Sequence, residues 1–241
     1  MQKVCFEYAR KWRPKRMVKS KILLPINSKG EPNFPVMEEF IKQKEQGQLE
    51  KIKTHITNKI KELKNFVEVN LLTQKEWKSF NIIDLFDFVK GDQNNMANIE
   101  FGEVPLVSAK KCDNGYKDFA SKNDKKIFKK NSLTLNNDGD GGAGISFYQP
   151  FDYLLDSHVT ALYPKIDLNK FVLLFISRCI TAQRDKFGHG YSINNQRLRV
   201  FKFMLPIDNI GEPDYHYMEN YIKKIEYKKL TNYLTRKTTN A

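Results

Sequence analysis

No run of apolar residues in this chain is long enough to cross a bilayer. The longest, Phe171–Ile176, is six residues against the roughly 20 that a spanning helix needs. The N-terminal stretch MQKVCFEYARKW has no apolar signal-peptide core. Cysteine is scarce, and Cys5, Cys112 and Cys179 are odd in number, widely spaced and without a CxxC pair. That pattern excludes a disulfide framework and predicts reduced thiols in a cytoplasm. Histidine is equally sparse. None of His55, His158, His189 and His216 stands beside a cysteine or an acidic pair at ligand spacing, so no metal site is expected. Acidic residues are in deficit, 28 against 41 Lys and Arg, for a net charge of +13.

The positive charge is clustered. Residues 1–21 carry eight Lys or Arg against one Glu, and residues 109–130 carry eight Lys against three Asp. Such patches suit a polyanion, whose condensed counterions are released on contact. A solvated lysine-rich surface would look the same. With 40% apolar and 12% aromatic residues the chain is long enough to bury one sizeable core.

What is present in abundance is self-similarity. Lys21–Lys42 reads KILLPINSKGEPNFPVMEEFIK, and Lys202–Lys223 reads KFMLPIDNIGEPDYHYMENYIK. From Pro25 to Lys42 nine of eighteen positions are identical to those 181 residues on, where chance gives about one. Asn and Asp exchange at 27 and 33, and Phe and Tyr at 34 and 40. The period is too long for a solenoid and implies a duplicated module of domain size. Phe6–Ile26 also aligns with Phe187–Ile207, sharing Phe6/Phe187, Arg16/Arg197 and Lys21/Lys202. The chain is therefore expected to start inside one module, with residues 1–33 as its closing remnant.

Asn33 is a candidate N-cap, and Pro35 is tolerated in a first helical turn. Leu49, Ile52, Ile56, Ile60, Leu63 and Val67 recur at three- and four-residue steps, the narrow seam of a coiled coil. A helix over 35–66 would be roughly 48 Å long. Asp214 should cap a second helix, with Met218, Tyr221, Ile222, Ile225, Leu230 and Leu234 as its apolar face. Between them, residues 104–110, 126–137, 144–150 and 158–164 predict strands. EWKSFNIIDLFDFVKGD predicts a short helix or strand before a glycine turn, Leu168–Phe187 a helix with a buried face, and RVFKFMLPI a closing strand. The expected fold is α+β: a β-rich domain over 73–212, flanked by helices over 34–70 and 213–237 that pair antiparallel, and a frayed tail at 238–241.

GEPDYHYMENYIKKIEYKKL, the preceding Leu205–Pro206, and the opening EWKSFNIIDLFDFVKG resemble type I restriction–modification specificity subunits. RKWRPKRMVKSKILLP is similar to the specificity modules of enzymes that combine restriction and methylation. The resemblance covers about residues 3–234 in phase with the repeat, and a complete first recognition domain is what it lacks. It implies a target recognition domain alternating with helical spacers, each domain reading half of a split DNA site. A one-domain form could pair with itself and read a palindrome.

Given that resemblance, two segments suit DNA. Ser108–Phe119 offers Lys110, Lys111 and Lys117 for phosphates, Asn114 for adenine edges and Tyr116 for stacking. Asp185–Arg197 offers Lys186, His189, Tyr191, Asn194, Asn195 and Arg197 around Gly188 and Gly190, which allow close backbone approach. Ordinary polar loops would carry the same residues, and Arg197 suits a phosphate clamp or a structural ion pair equally. Asn136–Ser146 is neither a P-loop nor an EF-hand, since no Lys-Ser/Thr follows its glycines and Gln149 replaces the closing Glu; it predicts a hairpin turn. No amino-methyltransferase motif, glycine-rich cofactor turn or nuclease cluster is present. No cofactor is expected, and catalysis should come from partner methyltransferase and restriction subunits. The alternative is a helical scaffold that binds DNA without sequence preference.

Overall fold

The two copies of the repeat fold into the same device. Asn27 Oδ1 accepts from the backbone N–H of Lys29 (2.9 Å) and Glu31 (3.0 Å), and Asp208 Oδ1 accepts from Ile210 and Glu212 (3.0 Å each). Gly30 and Gly211 close these turns at φ +80° and +82°, where a side chain would be strained. Bridges Ile26–Pro32 and Ile207–Pro213 follow. The next Asx residue then caps a helix: Asn33 Oδ1 accepts from Val36 (3.3 Å) and Asp214 Oδ1 from Tyr217 (2.9 Å). Asn and Asp exchange freely because both sites need only a side-chain acceptor.

The chain described here is a computed structural model that describes residues 13, 14, 18, 21–94, 96, 98–138, 142–188 and 190–239. It divides into two compact units, Met1–Lys61 and Glu62–Ala241. The first holds one repeat copy and most of helix α1 (Phe34–Leu63), on which Phe40, Ile41, Leu49 and Ile52 are exposed. The helix stops three residues short of the expected Phe66. In the second unit, Phe66 packs at a tilt against Tyr227 with ring centroids 5.4 Å apart, and the Val67 N–H donates to Asn220 Oδ1 (2.8 Å). These contacts take the chain out of the helix and onto the C-terminal segment.

The second unit is α+β. Strand β1 (Trp77–Asn81) runs into a single helical turn, α2 (Ile82–Leu85), and then β2 (Phe86–Lys90). β3 (Val104–Val107), β4 (Tyr116–Ala120), β5 (Ser132–Asn136), β6 (Ser146–Gln149), β7 (Leu154–Leu155) and β8 (Val159–Pro164) follow. Helices α3 (Lys170–Thr181) and α4 (Asn195–Arg199), strand β9 (Lys202–Pro206) and helix α5 (Tyr215–Thr239) complete it. The strands form sheets ordered β2-β8-β5-β6, β4-β3-β7 and β1-β9. All pairings are antiparallel except β3 with β7. Trp77 pairs with Pro206 and Asn81 with Lys202, so the first and last strands of the domain close on each other.

The core is centred on α3. Asn169 caps it, accepting from Phe171 and Val172. Its Val172, Leu173, Phe175 and Ile176 pack with Leu133 and Leu135 of β5, Phe203 and Leu205 of β9, and Tyr217 and Met218 of α5. Phe175 makes edge contacts to Tyr217 (6.3 Å) and Tyr221 (5.7 Å), so the first part of the α5 apolar face is used by its own domain. Truncating a fully buried ring such as Phe203 should cost about 3–5 kcal/mol.

The strand expected over 126–137 forms only over Ser132–Asn136. Asn131 sits at φ +56°, and Phe128 makes an isolated bridge to Tyr153. β4 and α4 lie inside segments whose composition predicts loops. Among the described residues β4 is an edge strand paired only with β3, and its Lys117, Asp118 and Phe119 are exposed, so it shows no apolar alternation.

Candidate functional site

Strand β5 is buried along its whole length. Leu133 and Leu135 enter the core, and the alternate residues Ser132, Thr134 and Asn136 are each hydrogen-bonded. The strand then ends in three polar residues that tether three different segments. Asn136 Nδ2 donates to the carbonyl of Lys110 (2.8 Å). The carbonyl of Asn137 accepts from Ile193 (2.7 Å), its N–H donates to the His158 carbonyl (2.9 Å), and its Oδ1 accepts from Thr160 Oγ1 (2.9 Å). Asp138 receives His158 Nδ1 at 2.8 and 3.0 Å on its two oxygens. The start of the expected hairpin turn is thus the hub that holds both basic segments.

Two open clefts flank the hub. One, of about 660 Å³, is lined by Ser108, Lys110, Lys117, Asp138, Asp156 and His158. The other, of about 410 Å³, is lined by Lys90, Asp138, Ser192, Asn194, Asn195 and Gln196. Asp138 belongs to both.

The individual candidates divide into those engaged internally and those facing outward. Lys110 Nζ is held by Asp113 (2.8 Å) and the Tyr116 carbonyl (2.9 Å). The hydrogen bond to Asp113 raises the lysine above its ordinary pKa, and the same bond holds the Asp113 carboxyl below its own. Asp113 and Asn114 turn the chain at φ +53° and +54°, and Asn114 Nδ2 donates to the Tyr148 carbonyl (2.7 Å). Lys117 Nζ donates to the Met96 carbonyl (3.1 Å), and Tyr116 packs edge-on to Phe119 at 5.6 Å. Lys111 is exposed.

In the second segment Asn194 is the N-cap of α4, accepting from Arg197 N–H (2.9 Å). Among the described residues Arg197 makes no ion pair, and it is not free. Its guanidinium lies 3.8 Å over the Tyr191 ring, and Nη1 donates to the Ser192 carbonyl (2.6 Å). Asn195, at the first position of α4, is exposed on the second cleft. Lys186 is exposed at the end of a single 3-10 turn, and His189 lies outside the described residues. Lys90, Asn136, Asn137, Asp138 and His158 carry no local signal that marks them; the amide pair at the end of an apolar strand is the one hint that a buried polar junction was required.

Elsewhere in the unit an apolar cleft of about 410 Å³ runs between α3 and α5, walled by Trp77, Phe175, Cys179, Met204, Tyr221 and Ile225. Burial there pushes the Cys179 thiol up to about 12. Among the described residues no group of three or more His, Cys, Asp or Glu is placed to hold a metal ion, and no helix is long and apolar enough to cross a membrane.

Comparison with known proteins supplies a context for this geometry. The family model for the type I restriction modification DNA specificity domain matches residues 74–236. The chain is 27% identical over 227 residues to the type II restriction enzyme BgcI specificity subunit S.BcgI of Heyndrickxia coagulans, over 92% of this chain and 63% of that protein. Among solved structures it is similar to a type I restriction-modification S subunit from M. genitalium (TM-score 0.47, 13% identity, 79% of this chain and 50% of that one). It is also similar to an HsdS subunit from Thermoanaerobacter tengcongensis (TM-score 0.45, 15% identity, 82% and 50%). The chain therefore spans less than two thirds of the curated relative and about half of these solved chains.

Proposed function

Because this chain belongs to the family of type I restriction-modification DNA specificity domains, we propose that it is a sequence-specific DNA-binding specificity subunit. In this reading residues 73–212 form the recognition domain and read half of a target site. The helices over 34–70 and 213–237 set spacing and dock methyltransferase, and where present restriction, subunits. The chain does no chemistry itself; it works in the cytoplasm and places its partners' active sites. Antiparallel pairing of the helices within or between copies would let a one-domain form recover two-fold symmetry and read a palindrome.

The observation that carries the proposal is the joining of the two basic, amide-bearing segments at the end of β5. Lys111 and Lys117 bring positive charge to one side, where Lys110 is paired with Asp113, and Asn195 a paired donor and acceptor to the other. That is the division between phosphate positioning and base reading that a specific DNA interface needs. Asn114, Asn194 and Arg197 serve the same end by stiffening the segments that present the others.

The test is selection from a randomised duplex library at near-physiological salt, with and without a cognate modification subunit. An enriched short motif is expected, palindromic if two copies act together. Binding that shows no preference and vanishes as salt rises would instead favour a helical scaffold with a merely basic surface.

A further inference from the structure

Asp138 lines both clefts and its partner His158 lines the first, and the proposal above makes no use of the pair. The His158 backbone is held on both sides: its N–H donates to Asp156 Oδ1 (3.0 Å), and its carbonyl accepts from Asn137 (2.9 Å). Its side chain is nevertheless 61% exposed. A rigid backbone that presents an open ring is the arrangement of a reading residue; an ion pair so exposed adds little to stability.

The partner decides which ring atom is offered. A carboxylate only accepts, so Nδ1 carries the proton and Nε2 is the atom left to face a ligand. Among the described residues the charged groups around the ring are Asp138 at the end of β5, Asp156 before β8, Lys90 at the end of β2, and Lys110 and Lys117 across the first cleft. Asp138 raises the imidazole above its ordinary pKa, with burial and Lys90 opposing. Bonded to Asp138, an imidazolium belongs to a pair with no net charge, which suits the uncharged edge of a base pair better than a phosphate.

We infer that His158, oriented by Asp138, is a specificity-determining residue whose Nε2 reads a base edge of the duplex bound at the first cleft. The inference rests on the DNA-recognition reading above. As an imidazolium, Nε2 donates and matches the O6 and N7 acceptors of guanine. As a neutral ring with Nδ1 protonated, Nε2 accepts and matches the amino group of adenine or cytosine. Asp138 is a positioning residue, fixing the tautomer and favouring the donor state.

The experiment is duplex-library selection with the full chain, alone and with its modification subunit, at pH about 6 and about 8.5. Wild type, His158→Gln and Asp138→Asn are compared, with melting curves as a control for folding. The wild-type motif should shift at one position from guanine towards adenine or cytosine as pH rises, by on the order of tenfold in preference. His158→Gln should abolish that shift and leave other positions unchanged, and Asp138→Asn should move it to lower pH. If either variant is unstable, the wild-type shift alone decides. A motif identical at both pH values and in the variants would overturn the inference and leave the recognition reading standing. So would a uniform loss for every sequence in His158→Gln, which marks a phosphate contact. No wild-type motif in any condition would overturn both.

Discussion

Replacing Asn136 by alanine tests whether the end of β5 holds the first basic segment in place. Asn136 is 1% exposed, and its Nδ2 donates to the Lys110 carbonyl at 2.8 Å. Alanine removes the donor and strands that carbonyl, a loss of about 1–3 kcal/mol when the abandoned group stays dry. Lys110 is half-buried, so water can partly replace the bond, and the loss should lie near about 1–2 kcal/mol. For a chain of this size each kcal/mol lowers Tm by about 2–4 °C, giving a fall of about 2–8 °C. The local consequence is sharper. The segment closes on itself through the Ser108 N–H to the Gly115 carbonyl (2.9 Å) and the Gly115 N–H to the Cys112 carbonyl (3.0 Å). If the tether stabilises that closure by the same amount, amide exchange at Ser108 and Gly115 should accelerate roughly 5–30-fold. Calorimetry and hydrogen exchange measure the two effects, and Asn195→Ala, an exposed change, should alter neither. A variant that melts with the wild type and keeps its protection at 108 and 115 would refute the tether.

Three further outcomes follow from the same geometry. Gly91→Ala would place a Cβ 2.1 Å from the Asp156 carbonyl oxygen and 2.7 Å from that of Leu155; the backbone must move, and a loss of about 3 kcal/mol is expected by denaturant titration. Asn194→Ala should cost about 1 kcal/mol as a lost cap, while Asn194→Asp keeps the acceptor and the wild-type midpoint. Lys111→Ala should weaken binding to all duplexes alike and reduce the salt slope by about 1, whereas Asn195→Ala should relax one base position by about 1–3 kcal/mol. Equal, uniform losses in both would remove Asn195 from base reading.

The repeat was legible because its information is local. Asn27 and Asp208 reach N–H groups two and four residues ahead, Asn33 and Asp214 three ahead, and Gly30 and Gly211 set their own φ. The helix expected over 168–187 forms over 170–181: its apolar residues lie within one short window and made it plain, but its end did not show, because the chain leaves it through a single 3-10 turn at Arg184–Lys186. The α+β class and the family resemblance both grew from such windows. The site did not. Asn136 and Lys110 are 26 residues apart, Asp138 and His158 20, and Asn137 and Ile193 56, with three strands and α3 between them. β4 is a strand because β3 pairs with it, not because its residues alternate. Asn114, Asn194 and Arg197 have side chains suited to DNA, yet the fold gives each an acceptor or donor of its own. Composition identifies which residues can form a hydrogen bond; chain topology chooses the partner, because that choice depends on which distant segments the sheet brings within 3 Å.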